Sequence, residues 1–164
     1  MSLNLGGDVK LVALALLALS TAAAAPVQHA PPVKEAPAIE QAKRDARASA
    51  EAWLKLSDAG LVDASWDELA TGMKKDVSRE QWRLIMARMR FGAGNVTARA
   101  IWKTVYTDKL LGAPPGTYVT VLYRSQFSKR GAGVENIPVA LDADGKWRVC
   151  GYHADSPEWY VPAK

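Results

Sequence analysis

The chain has 164 residues, enough for one domain and too few for two comfortable ones. Its 21 Lys+Arg against 17 Asp+Glu give a net charge of +4, with the two signs alternating and no dense basic block, which argues against nucleic acid as a partner. One cysteine excludes an internal disulfide, and two histidines without a second ligand at metal spacing point to neither a metal nor any other cofactor.

The first element is a leader. Lys10 precedes "LVALALLALSTAAAA", an apolar run ending in small residues, so residues 1–24 are expected to be a signal peptide cut after Ala24, with Ala22 and Ala24 in the positions a signal peptidase reads. The strongly apolar part is shorter than the roughly 20 residues a spanning helix needs, so no stable membrane anchor is expected after cleavage. The predicted location is periplasmic or secreted. Cleavage removes Lys10 together with Asp8 and leaves the net charge unchanged. Residues 25–36 form a proline-rich tether that is extended and need not pack, and a single domain is expected over 37–160.

From Pro37, Ile39, Ala42, Ala46, Ser49/Ala50, Trp53 and Leu56 recur at three- and four-residue steps, which predicts an amphipathic helix stopped at Gly60. Its mostly alanine seam requires a close neighbour. "SWDE" (65–68) and "SREQ" (78–81) have capping-box spacing and predict two shorter helices. Trp66, Leu69, Ala70 and Met73 face inward on the first, and Trp82, Ile85, Met86 and Met89 on the second, which "FGAGN" ends.

Four strands follow. The first is expected over Val96–Thr107. After the "GAPPG" turn comes "TYVTVLYRSQF", with Val119, Val121 and Tyr123 on one face and Tyr118, Thr120, Leu122 and Arg124 on the other. "VENIPVAL" is the third strand, and "DADG" turns it into "KWRVCGYH", the fourth. In that last strand Trp147, Val149 and Gly151 are expected on one face and Arg148, Cys150 and Tyr152 on the other. Helices followed by strands with short turns define an α+β fold: a long N-terminal helix and two short ones packed on a curved four-stranded antiparallel sheet.

The segments "AWLKLSDAGLVDASWDELA", "VSREQW", Arg99, "PPGTYVTVLYRSQF", Glu135 and "GKWRVCGY" together resemble an uncharacterised family of exported bacterial domains of unknown function, over about Ala48 to Tyr152. The resemblance implies a helix-plus-curved-sheet fold similar to the cystatin-like and nuclear-transport-factor-2-like cones. It brings no activity, cofactor or catalytic residue with it, and fold-level analogy alone does not supply one.

The residues offer few chemistries. Cys150 and His153 lie on opposite faces of a regular strand unless Gly151 hosts a bulge, so a thiol–imidazole pair is not expected, and a small buried strand residue is. "FGAGN" follows a helix instead of linking strand to helix, so it is a helix stop and not a phosphate cradle. Six tryptophans are a high load that core packing explains for most. An apolar pocket at the open end of the cone would draw on Trp53, Trp66, Trp82, Arg99, Tyr118, Tyr123, Arg124 and Trp147. The expected role is a non-catalytic module that binds a small molecule or an envelope protein. One alternative is a small isomerase or hydrolase with Glu135 as its acid–base carboxylate and Tyr118 or Tyr123 as hydroxyl donor. Against it stands a Glu135 ion pair with Arg99 or Arg124. The other alternative is assembly through the sheet as a homodimer.

Overall fold

The computed structural model describes residues 36–155; the expected leader, nearly all of the tether and the last positions of the expected domain (156–160) lie outside them. Helix α1 spans Pro37–Asp58, with proline at its first turn, where the missing N–H costs nothing. Its inward stripe is small at first, Ala46 and Ala50 having no exposed surface, and then large, with Trp53, Leu54 and Ser57 buried. The small seam lets the helix lie close on the sheet, and the Ser49 hydroxyl donates to the Trp147 carbonyl across that contact. The helix ends as expected at Gly60, at φ 71°. The N–H of Gly60 bonds to the Ser57 carbonyl and that of Leu61 to the Leu56 carbonyl, the paired bonds of a Schellman ending, which needs the left-handed conformation glycine supplies.

Three helices follow instead of two: α2 (Val62–Asp67), α3 (Thr71–Asp76) and α4 (Arg79–Ala93). The "SREQ" capping box starts α4, with both of its reciprocal bonds formed. The "SWDE" box does not form. Ser65 lies inside α2, whose N-cap is Leu61, and its hydroxyl is fully buried and donates to the Val62 carbonyl. The inward set Trp66, Leu69, Ala70 and Met73 spans two short helices joined at Leu69–Ala70, because Leu69 makes a parallel bridge to Val149 and the Ala70 N–H bonds to the Val149 carbonyl. On α4, Trp82 and Met86 are buried as expected, whereas Ile85 is 38% exposed. An apolar stripe wider than the core contact leaves Ile85 on its outer margin.

The sheet is antiparallel, in the order β1 (Val96–Thr107), β2 (Tyr118–Phe127), β3 (Gly131–Leu141) and β4 (Trp147–Val149), with β5 (His153–Asp155) also on β3. The helices pack on one face. Opposed residues share a face, so register sorts the side chains. Val119, Val121, Tyr123, Ser125 and Phe127 of β2 point to the helices, beside Glu135, Ile137 and Val139 of β3. On the free edge, β1 shifts register at Thr97 and Trp102 and exposes Lys103, features that blunt an edge strand against further pairing.

The fourth strand is not continuous. Val139 pairs with Val149, but Asn136 pairs with His153, so the last strand carries one residue more than β3 between these pairs. This is a bulge over Cys150–Tyr152. Its cause is Pro138, whose carbonyl accepts from the Cys150 N–H and whose missing N–H falls on the same side, so an interrupted ladder there wastes no donor. The bulge reverses the expected direction of Tyr152. It sits two residues before Ala154, which opposes Glu135, so its ring joins Val149 on the helix side instead of Cys150 on the other. Gly151 is the pivot, and a Cβ there would lie 2.9 Å from Pro138 Cγ. Gly151→Ala is therefore expected to destabilise the domain by about 1–3 kcal/mol, the usual range for overpacking. Gly72→Ala, in open space on α3, should leave stability unchanged or slightly raised. Urea unfolding of the two variants checks the contrast.

Candidate functional site

Glu135 lies within β3, not at its head as the sequence suggested, and has no exposed surface. Register surrounds it with donors. Tyr123 opposes it on β2, Ser125 is its diagonal neighbour, and Arg99 of β1 opposes Ser125. Arg99 Nε donates to Glu135 Oε2 at 2.6 Å and Arg99 Nη2 to Oε1 at 2.8 Å, a two-point contact. The Ser125 hydroxyl donates to Oε2, and the Tyr152 hydroxyl to Oε1 at 2.7 Å. Arg99 also donates to Asp58 at the end of α1, at 2.7 and 3.2 Å, and Asp58 stands 3.7 Å from Arg90 of α4. The pair is Glu135 with Arg99; Arg124, the other candidate partner, is on the opposite face, stacked 4.9 Å over Trp102.

Burial alone would raise the Glu135 pKa. The hydrogen bonds from Arg99, Ser125 and Tyr152 and the charge of Arg99 outweigh it and hold the carboxyl below its ordinary value. Burial works against the Arg99 charge too, and the bonds to Glu135 and Asp58 reverse it, so the guanidinium is held charged. General acid–base work at neutral pH needs a carboxylate shifted the other way. Burial, reinforced by the same ionised Glu135, drives the Tyr152 hydroxyl pKa upward, so Tyr152 stays a donor.

The sequence-derived pocket set divides between places. Trp53, Trp82, Arg99 and Tyr123 are on the inner face with Glu135, and Trp147, half-buried, packs against that core. Tyr118 and Arg124 point outward, and the Tyr118 hydroxyl donates to the Pro114 carbonyl, so it cannot serve Glu135. Tyr123 does share the face of Glu135. Its hydroxyl is buried without a hydrogen bond, and burial, with a smaller contribution from Glu51, pushes its pKa up to about 12. Trp66, on α2, packs against the same core and lies under Arg79 and Lys74. Trp53 and Trp82 are structural. Their indoles donate to the Ser65 carbonyl and hydroxyl at 2.8 and 2.9 Å, they meet edge to face at 6.1 Å, and Trp53 meets the Tyr152 ring at a tilt, centroids 5.2 Å apart.

A surface feature lies where the sequence carries little signal. A groove of about 940 Å³ runs between α4 and the β4–β5 bulge, closed at one end by α3. Trp82 and Tyr152 contribute to its floor, and Met73, Leu84, Ile85 and Met89 to its helical wall. Leu84 is 68% exposed. Cys150, Gly151 and His153 make the opposite wall, so the bulge brings the cysteine and histidine to one groove, which a regular strand forbids. Burial pushes the thiol up to about 12, which disfavours the thiolate that a nucleophile needs. A second groove of about 650 Å³ lies on the outer face of the sheet over Ala98, Ala100 and Ala132, beside Trp102 and Arg124. Among the described residues no group of three or more His, Cys, Asp or Glu is placed to hold a metal ion, and no helix is long and apolar enough to cross a membrane.

The fold and its centre define a class: an α+β domain whose helices cover one face of an open antiparallel sheet, locked by a buried carboxylate–guanidinium pair. Residues 49–152 match the family described as protein of unknown function DUF4019, and the chain belongs to that family. No curated protein and no solved structure matches it.

Glu135→Gln is expected to lower the unfolding free energy by about 3–5 kcal/mol, the usual cost of breaking a buried pair. The pH dependence has a definite sign. A carboxyl whose pKa is depressed in the folded state contributes stability that is fully present above its unfolded value, about 4.3, and is lost as pH falls through the folded value. Wild-type stability should therefore fall below about pH 4.3, with part of that fall absent from Glu135→Gln in urea titrations across pH. Cys150 is expected to react with iodoacetamide at pH 8 far more slowly than the same thiol in the urea-unfolded chain, read by mass spectrometry.

Proposed function

We propose that the protein is an exported, non-catalytic binding module of the cell envelope, holding a small apolar ligand in the groove between α4 and the bulge. The observation that carries this reading is the groove itself. Its volume lies in the range of small-molecule sites, and two large aliphatic side chains, Leu84 and Ile85, stand exposed on a wall that a free surface would favour as polar. Two of the groups that suggested catalysis are engaged elsewhere: each oxygen of the Glu135 carboxylate accepts two hydrogen bonds, and the Tyr118 hydroxyl donates to the Pro114 carbonyl. Export rests on the leader-like sequence of residues 1–24. The finer fold reading, a relative of the cystatin-like and nuclear-transport-factor-2-like cones, rests on a long helix lying along a curved sheet, and in such cones a groove at the open margin is a natural ligand seat.

Nile red, an uncharged apolar dye, is the probe for the groove. The wild-type domain should bind it at one site with a blue-shifted emission. Ile85→Glu should abolish that signal while leaving the melting temperature within a few degrees, since Ile85 is a partly exposed position outside the buried core. Equal dye binding by wild type and Ile85→Glu would place the apolar site elsewhere.

A further inference from the structure

The four arginines of α4 differ in one respect. Arg79 is held by Asp67, Arg83 by a two-point contact with Asp63, and Arg90 by the Ser57 carbonyl and the nearby Asp58. Arg88 alone has no carboxylate, carbonyl or aromatic ring as partner among the described residues, and it lines the apolar groove. It stands three and four residues beyond Ile85 and Leu84, which puts a cation at the end of the exposed aliphatic stripe on the same helix face. We propose that the groove takes a free long-chain carboxylic acid, its chain along Leu84, Ile85 and Met89 and its carboxylate on Arg88.

This rests on the groove being the ligand site, and three features select the ligand class within that reading. The apolar wall includes two methionines, Met73 and Met89, whose flexible thioethers accommodate an unbranched chain of variable path. The groove's acidic residue, Asp76, shares the last turn of α3 with Lys74 and Lys75, so that end carries no net negative charge to repel an anion. An unpaired guanidinium beside apolar surface binds a carboxylate by two parallel hydrogen bonds. A single cation suits one acid head group. A membrane surface would call for several basic residues around the rim.

The test uses the full mature chain with palmitate and its uncharged isostere hexadecanol, both below their aggregation limits, displacing Nile red. Palmitate is expected to displace the dye at least tenfold more strongly than hexadecanol. In Arg88→Gln, an exposed and unpartnered position, palmitate should fall to the level of hexadecanol while hexadecanol is unchanged. Equal displacement by the two ligands, unaffected by Arg88→Gln, would overturn the head-group assignment and leave the groove reading standing. Retained dye that neither ligand displaces would overturn the acyl-chain assignment with the same consequence. No dye binding at all would remove both readings. Sedimentation with phosphatidylglycerol vesicles that depends on Arg88, without displacement by free palmitate, would overturn the proposal in favour of a membrane surface.

Discussion

A carboxylate with no access to water organises this domain. Glu135 is fixed by Arg99 of β1, Ser125 of β2 and Tyr152 beyond the bulge, and through Arg99 it reaches Asp58 at the end of α1. Burying a charge costs several kcal/mol, and attraction to one partner repays that only when the remaining lone pairs are also satisfied. Here the carboxylate oxygens accept four hydrogen bonds from three residues, each on a separate part of the chain. The arrangement is therefore more useful for specificity than for net stability: a sheet one residue out of register would strand the charge.

From that centre the packing extends by direct contact. Tyr152 packs at a tilt against Trp53, Trp53 meets Trp82, and both indoles donate to Ser65 of α2. The residue that looked like a helix cap from sequence is thus the polar joint between α1, α2 and α4. An indole must find an acceptor when buried, and one serine supplies two, its carbonyl and its hydroxyl. Local spacing cannot distinguish that role from a capping box, because both place a serine near the start of a helix. What separates them is the tertiary demand of two tryptophans distant in sequence.

The same division explains what was legible in the sequence. Elements set by local chemistry were readable: the alanine seam of α1, its stop at Gly60, the capping box at Ser78, the alternation of β2 and the turn before Lys146. So was the carboxylate's partner class, since a glutamate amid strand residues calls for an arginine, although the choice of Arg99 over Arg124 depends on register. Part of what was not readable depended on Pro138. It sits on β3, yet its effect appears on the neighbouring strand as the bulge at Cys150–Tyr152, which redirects Tyr152 to the core and breaks one expected strand into two. The pocket set selected for its aromatic residues failed to converge for a related reason: sheet alternation divides it between two faces, and the largest rings are consumed by the core.

The bulge also separates stability from function. By sending Tyr152 inward it completes the carboxylate site, and by interrupting the strand it leaves Cys150, Gly151 and His153 bordering the groove beside α4. One helix then serves two purposes: Trp82 and Met86 close the core, while Leu84, Ile85 and Arg88, on the outer side, have no core to enter. A groove assembled this way is held open by groups that do not line its mouth, so side chains in the mouth can change without disturbing the charge that fixes the sheet. That is the physical reason to look for function in modest surface residues of α4 and not in the aromatic and ionic residues that dominate the sequence.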